Sequence, residues 1–152
     1  MTACLMLLLL SLLATGCSSY QLQGTVVQGP QSMVLVVSKD DPRLDIPGVS
    51  GASVAFTIDP RSLNANMLPP EMTDQQGRFV VDVPHLGAGM LEYELEVLCR
   101  APGFVAAARN MKLPSASKRL LIVMSPGTDT YRQQNDILGE TLEMGRQLSP
   151  GQ

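Results

Sequence analysis

The chain has no tryptophan, three tyrosines, three phenylalanines, one histidine and three cysteines in 152 residues. Each shortage narrows the possible functions. Zinc needs three or four ligands, commonly His or Cys, and the body of the chain offers only His85 and Cys99. A single histidine also limits general acid–base and nucleophilic chemistry, since the exposed Ser and Thr residues have only His85 to serve them. Aromatics at 4% leave few stacking platforms for sugars or bases. The net charge of −3 argues against nucleic acid as a partner, because that would call for a basic patch. Cys4 and Cys17 sit in or beside an apolar leader, so Cys99 stands alone and no intrachain disulfide is expected. On the apolar side of a strand pattern, Cys99 reads as a small buried hydrophobe.

One long hydrophobic run is present, near the start. Leu5-Met6-Leu7-Leu8-Leu9-Leu10-Ser11-Leu12 leads into Leu13-Ala14-Thr15-Gly16-Cys17. It has the length of a signal-peptide core and is too short to cross ~30 Å of hydrocarbon as a helix. Small residues before a cysteine suit a peptidase that must approach the backbone closely. The segment resembles a bacterial lipoprotein signal peptide with its lipobox, although Ala14 stands where that family favours leucine. The resemblance implies that Cys17 is the lipidation site. Its thiol receives diacylglycerol, the chain is cut before it, and the new amino terminus takes a further acyl group such as palmitate. One acyl chain binds only at roughly 10⁴ M⁻¹, so stable anchoring takes at least two. Ser18, rather than aspartate, follows the cysteine, which favours the outer membrane facing the periplasm. The expected division is therefore a signal peptide over 1–16, a folded domain over 17–125 and a polar tail over 126–152.

The body reads as β-structure. Residues 20–28, 52–58 and 79–83 alternate apolar and polar side chains at period two. Leu91-Glu92-Tyr93-Glu94-Leu95-Glu96-Val97 does so most clearly, with three glutamates free to face water. Met33–Val37 is continuously apolar, as expected of a strand covered on both faces. Residues 104–113 and 119–124 bring the count to about seven strands. Gly29-Pro30, Asp41-Pro42, Asp74-Gln75-Gln76-Gly77 and Pro102-Gly103 supply the turns. Residues 59–72, with Pro60, Pro69 and Pro70, read as a surface loop. Short strands with regular turns and little helical periodicity predict an all-β antiparallel sandwich or barrel, the sandwich being the expected architecture. Within the tail, Ile137, Thr141, Met144 and Leu148 share a helical face interrupted by Gly139 and Gly145, which predicts a disordered or weakly helical segment.

Four motifs occur in order: Gly24-Thr25-Val26, Gly51-Ala52-Ser53-Val54, Thr73-Asp74-Gln75-Gln76-Gly77-Arg78-Phe79, and Tyr93-Glu94-Leu95-Glu96-Val97 followed by Gly103-Phe104. Together they resemble a carboxypeptidase regulatory-like domain, a transthyretin-like sandwich. The stretch from Gly29 to Ser50 is longer than that family's usual turn. The resemblance implies a non-catalytic accessory module and supplies no catalytic residues. The related hydroxyisourate hydrolases share the fold and use several histidines with a Tyr-Arg-Gly-Ser tail. Here Tyr131-Arg132 is followed by Gln133-Gln134, and the histidines are missing.

Other features have plain readings. His85 is expected to be an exposed loop residue. Asp40, Asp41 and Asp45 are interleaved with Lys39 and Arg43 and lack a calcium-loop motif. Gly87-Ala88-Gly89 has no following Lys-Ser for a phosphate loop. The Glu92, Glu94, Glu96 stripe reads as edge-strand protection. The expected function is a non-enzymatic envelope lipoprotein without metal or cofactor, tethered to the membrane through Cys17 and acting as a structural or protein-binding module. The alternative is a small-ligand or glycan binder that uses the loops 59–72 and 85–90 at one end of the sandwich.

Overall fold

A computed structural model describes residues 20–85 and 87–131. They form two packed sheets without a closed barrel. The strands are β1 (Tyr20–Gln28), β2 (Met33–Ser38), β3 (Ser53–Ile58), β4 (Asn66–Met67), β5 (Glu71–Met72), β6 (Arg78–Val83), β7 (Glu94–Arg100), β8 (Ala107–Lys112) and β9 (Lys118–Met124). The first sheet runs β2-β9-β1-β6, and the second runs β4-β3-β7-β8 with β5 also paired to β3. All pairings are antiparallel except β1 with β9, which is parallel.

Alternation dictates the two layers. In β6, Phe79, Val81 and Val83 point inward and are buried while Arg78, Val80 and Asp82 are exposed. In β3, Val54, Phe56 and Ile58 are buried opposite them. The layers meet at Phe56 and Phe79, whose rings lie 5.6 Å apart, tilted by 42°. Gly24 makes this contact possible. It pairs with Phe79 across the ladder, and a Cβ at position 24 would lie 2.5 Å from both the Phe79 ring and the Leu120 carbonyl.

Strands adjacent in sequence do not pair at the start of the chain, because β9 lies between β1 and β2. The reason is burial on two faces. Leu120, Ile122 and Met124 of β9 face the sandwich core, while Leu121 sits with Val27 and Val37 in a second cluster on the outer face. That outer cluster is covered by Leu44, carried on a 3-10 turn at Pro42–Asp45. The long connection after β2 thus provides a lid, and it explains the unbroken apolar run in β2. Val36 is still 42% exposed because β2 is an edge strand.

Two sequence expectations need correction. Residues 59–72 are not simply a loop, since their second half pairs along β3 as β4 and β5. Thr57 faces Met67 and Val54 faces Glu71, so Leu68, Pro69 and Pro70 oppose only Ala55 and Phe56. This is a β-bulge, and prolines are tolerated there because no ladder N–H is required of them. Leu68 is buried and its amide donates to the Phe56 carbonyl at 2.9 Å. The glutamate stripe does not guard an edge, because β7 is an interior strand between β3 and β8. The stripe lies on the solvent face of the second sheet. Glu94 is exposed and Glu96 half-buried, while the intervening Leu95 and Val97 are buried as their alternation predicts.

Candidate functional site

The sandwich has two ends. The proximal end holds Tyr20 and the connections 59–65, 84–93 and 113–117. Several bonds bring them together. The Tyr20 hydroxyl donates to the Pro114 carbonyl at 2.6 Å. Asp59 and Glu94 exchange two hydrogen bonds of 2.8 and 2.9 Å, and the Leu113 amide donates to the Tyr93 carbonyl at 2.8 Å. The backbone of Gly89 lies against the Tyr20 ring. Half-burial pushes the Tyr20 hydroxyl up to about 12, with the Arg119 charge pulling weakly the other way. Cys17, the expected lipidation site, lies outside the described residues, as does the expected signal peptide. The described residues begin at Tyr20, three positions later.

The loops expected to bind a ligand part company. Residues 59–65 and 85–90 both lie at the proximal end, whereas 66–72 runs back along β3. A hollow of about 530 Å³ at the proximal end takes in Ala88, Gly89 and Met90 beside Tyr20 and Arg119, and a second concave site lies at the opposite, distal end. It is a cleft of about 590 Å³ lined by Ser53, Met72, Arg100, Phe104 and Asp129 among others. The chain beyond β9 builds one wall, held by Gly127 N–H to the Gly103 carbonyl at 2.9 Å and a bridge between Phe104 and Pro126. The first residues of the expected tail therefore belong to the sandwich, and 132–152 lie outside the described residues. The cleft's charges close on each other. Arg100 Nε meets Asp129 Oδ2 at 3.2 Å, its Nη2 donates to the Tyr131 carbonyl at 3.0 Å, and its guanidinium lies 5.9 Å from the centre of the Tyr131 ring.

The single chemical groups are taken up by packing, capping and pairing, apart from the buried Nδ1 of His85, which has no hydrogen-bond partner. Cys99 is fully buried with its sulfur 3.5 Å from Met124 Sδ, and burial pushes its thiol up to about 12. A thiol that stays protonated is not a nucleophile. His85 is half-buried rather than exposed, with its ring steeply inclined to that of Tyr93 and the ring centres 5.5 Å apart. The loop folds back because the His85 amide donates to the Val83 carbonyl and the Ala88 amide to the His85 carbonyl. Asp41 caps the 3-10 turn and forms a two-pronged pair with Arg43 at 2.7 and 2.9 Å. Those bonds hold its carboxyl at about 2. Among the described residues, no three His, Cys, Asp or Glu side chains come together as a metal site. No helix among them is long and apolar enough to cross a membrane.

The proximal loops end in exposed apolar tips, Leu63, Met90 and Leu91. The alternation with the glutamates predicts Leu91 on a strand facing the core. It sits instead in a turn before β7, because its amide and that of Met90 both donate to the Gly87 carbonyl. The available signal was Gly89-Met90-Leu91, two large apolar residues following a turn glycine. No family model, curated protein or solved structure matches this chain.

Proposed function

We propose that the chain is a non-enzymatic envelope lipoprotein. In this reading one carboxypeptidase regulatory-like sandwich is held at a bacterial membrane by acyl groups on Cys17 and serves as a structural or protein-binding module. The observation that carries the reading is the distance from anchor to fold: β1 starts three residues after Cys17. A lipid there would hold the sandwich against the bilayer, not on a stalk. The family assignment draws support from the third motif, in which each marked residue has a separate task. The Thr73 hydroxyl clamps a neighbouring loop, Asp74 caps the turn, Gly77 takes a φ of +77°, and Phe79 enters the core. Ser18 after the cysteine favours the periplasmic face of the outer membrane.

Replacing Cys17 with serine tests the anchor. The variant should accumulate as uncut precursor and take up no palmitate analogue; normal processing and labelling would defeat the proposal. A second reading, small-ligand binding, is favoured by the distal cleft, whose ~590 Å³ falls within the ~300–1,000 Å³ of ordinary ligand sites. A ligand bound there should raise the melting temperature of the parent chain and have no effect on Ser53→Trp, which fills the cleft. An equal shift in both would place binding elsewhere.

A further inference from the structure

Three apolar side chains project into solvent at the proximal end. Leu63 is fully exposed, Met90 is 90% exposed and Leu91 56%. Their loops are tied by their own hydrogen bonds. The Ser62 amide donates to the Asp59 carbonyl at 2.8 Å and the Asn64 amide to Ser62 Oγ at 3.2 Å. Met90 and Leu91 donate to the Gly87 carbonyl at 2.9 and 2.7 Å. The tips are thus held outward by fixed turns. The charges beside them are compensated in pairs, Arg61 with Glu94 at 2.9 Å and Lys112 with Glu92 at 2.8 Å. Arg119 also lies at this end, lining the hollow beside Met90 with its guanidinium on the Ala116 and Lys118 carbonyls, so the end presents hydrocarbon beside paired charges and one further cation.

The same end receives the start of β1. Three residues of chain reach at most about 11 Å, so acyl groups on Cys17 would keep Tyr20 within that distance of the interface. We infer that the proximal end is a lipid-docking face, in which Leu63, Met90 and Leu91 enter the headgroup–acyl boundary of the bilayer to which Cys17 tethers the chain. The inference rests on the Cys17 reading and adds an orientation to it. The tether makes insertion intramolecular, so three aliphatic tips suffice even though each alone would bind weakly. None of the tips is aromatic, whereas protein-binding hot spots favour Trp, Tyr and Arg at a desolvated centre. Because the charges flanking the tips are paired with each other, docking needs no anionic lipid; Arg119 adds only an attraction to phosphate headgroups that salt screens, so docking persists at high salt.

The test uses the full lipidated chain, reconstituted in phosphatidylcholine vesicles. A fluorescent label is placed on Leu63→Cys, Met90→Cys or, as a distal control, Met72→Cys; Cys99 is buried and does not compete for it. Labels at 63 and 90 should be quenched by spin-labelled phosphatidylcholine roughly two-fold or more beyond the label at 72, at low and high salt alike. Adding Leu91→Glu should bring the signal at 63 and 90 toward the control. Equal quenching at all three sites in a chain that floats with the vesicles would overturn docking while leaving the anchor standing. Labels at 63 and 90 shielded from aqueous iodide but untouched by the lipid quencher would overturn it in favour of a protein cover. A chain that fails to float overturns the anchor, and docking with it.

Discussion

Thr73 stands with its hydroxyl between two backbone groups of the loop that leads into β3. Its Oγ1 accepts from the Ala52 amide at 2.9 Å and donates to the Val49 carbonyl at 2.7 Å. Thr73 is 5% exposed and Ala52 fully buried, so the Ala52 amide loses its partner without gaining water if the hydroxyl is lost. Thr73→Val keeps the volume and should cost ~1–3 kcal/mol, the penalty of leaving buried polar groups unpaired. Thr73→Ser should cost markedly less, and urea unfolding of both variants checks the difference. Cys99 gives a second residue-scale expectation. With its thiol pushed up to about 12 and no exposure, it should resist thiol reagents at pH 8 in the native chain and react fully in urea. Rapid native labelling would mean that the core opens far more readily than its packing implies. Cys99 as a buried filler was legible in the sequence from strand parity. The Thr73 clamp was not, since its partners lie more than twenty positions away and nothing local marks them.

At the scale of elements, the turn between β5 and β6 is tied by one carboxylate. Asp74 accepts from the Arg78 amide at 2.8 Å and the Gln76 amide at 2.9 Å, and the Arg78 amide bond is the main reason its carboxyl titrates below the usual range. Asp41 is held at about 2 by Arg43 at the head of the 3-10 turn. A carboxyl whose pKa is lower folded than unfolded stabilises the fold above its ordinary value and loses that contribution as protons are forced on. Stability should therefore be level above about pH 5 and fall between about 4 and 2. Asp74→Ala should lower the melting temperature at pH 7 and change it little at pH 2. An equal loss at both would show that the side chain acts by packing, not by charge. The opposite sign holds in alkali. Tyr20 and Cys99, both raised to about 12, keep their protons in the fold, so stability present below their ordinary values is lost as pH rises toward 12. The turn itself could be read from Asp74-Gln75-Gln76-Gly77, and the strands β3 and β6 from their period of two. The broken edge strand β4–β5 could not, because Pro69 and Pro70 signal a loop until β3 is seen beside them.

The molecule as a whole depends on closing two sheets over one core. Leu95 lies on β7 with no exposure, next to Ile58 and Met111 across its two ladders. Leu95→Ala should cost ~2–5 kcal/mol, a large share of the ~5–15 kcal/mol that holds a domain folded. Glu94→Ala, one position away on the solvent face, should cost far less, since its partner Arg61 is itself exposed. Denaturant midpoints for the pair measure the contrast, and similar losses would refute the assigned facing. Arg109 shows how the open side of the sandwich is managed. From edge strand β8 it donates to the Val34 carbonyl of edge strand β2 at 2.7 Å, joining the two sheets where no strand can. An edge carbonyl already occupied is less available to a second chain.

What the sequence determined by itself was local. It specified β-structure, the facing of most strands, the chief turns and the scarcity of chemical groups, because period two, turn residues and composition act over a few positions. It also supplied the Cys17 motif, on which the proposed anchoring depends. The tertiary structure decided which strands are neighbours. β9 goes between β1 and β2, an interior place where the facing sheet covers one of its apolar faces and Leu44 of the long connection covers the other. It decided that the glutamate stripe lies on an interior strand and that the long β2–β3 connection serves as a lid. It also gathered Tyr20, Leu63 and Met90 at one end, since residues distant in sequence meet only once the sheets have set the direction of every loop.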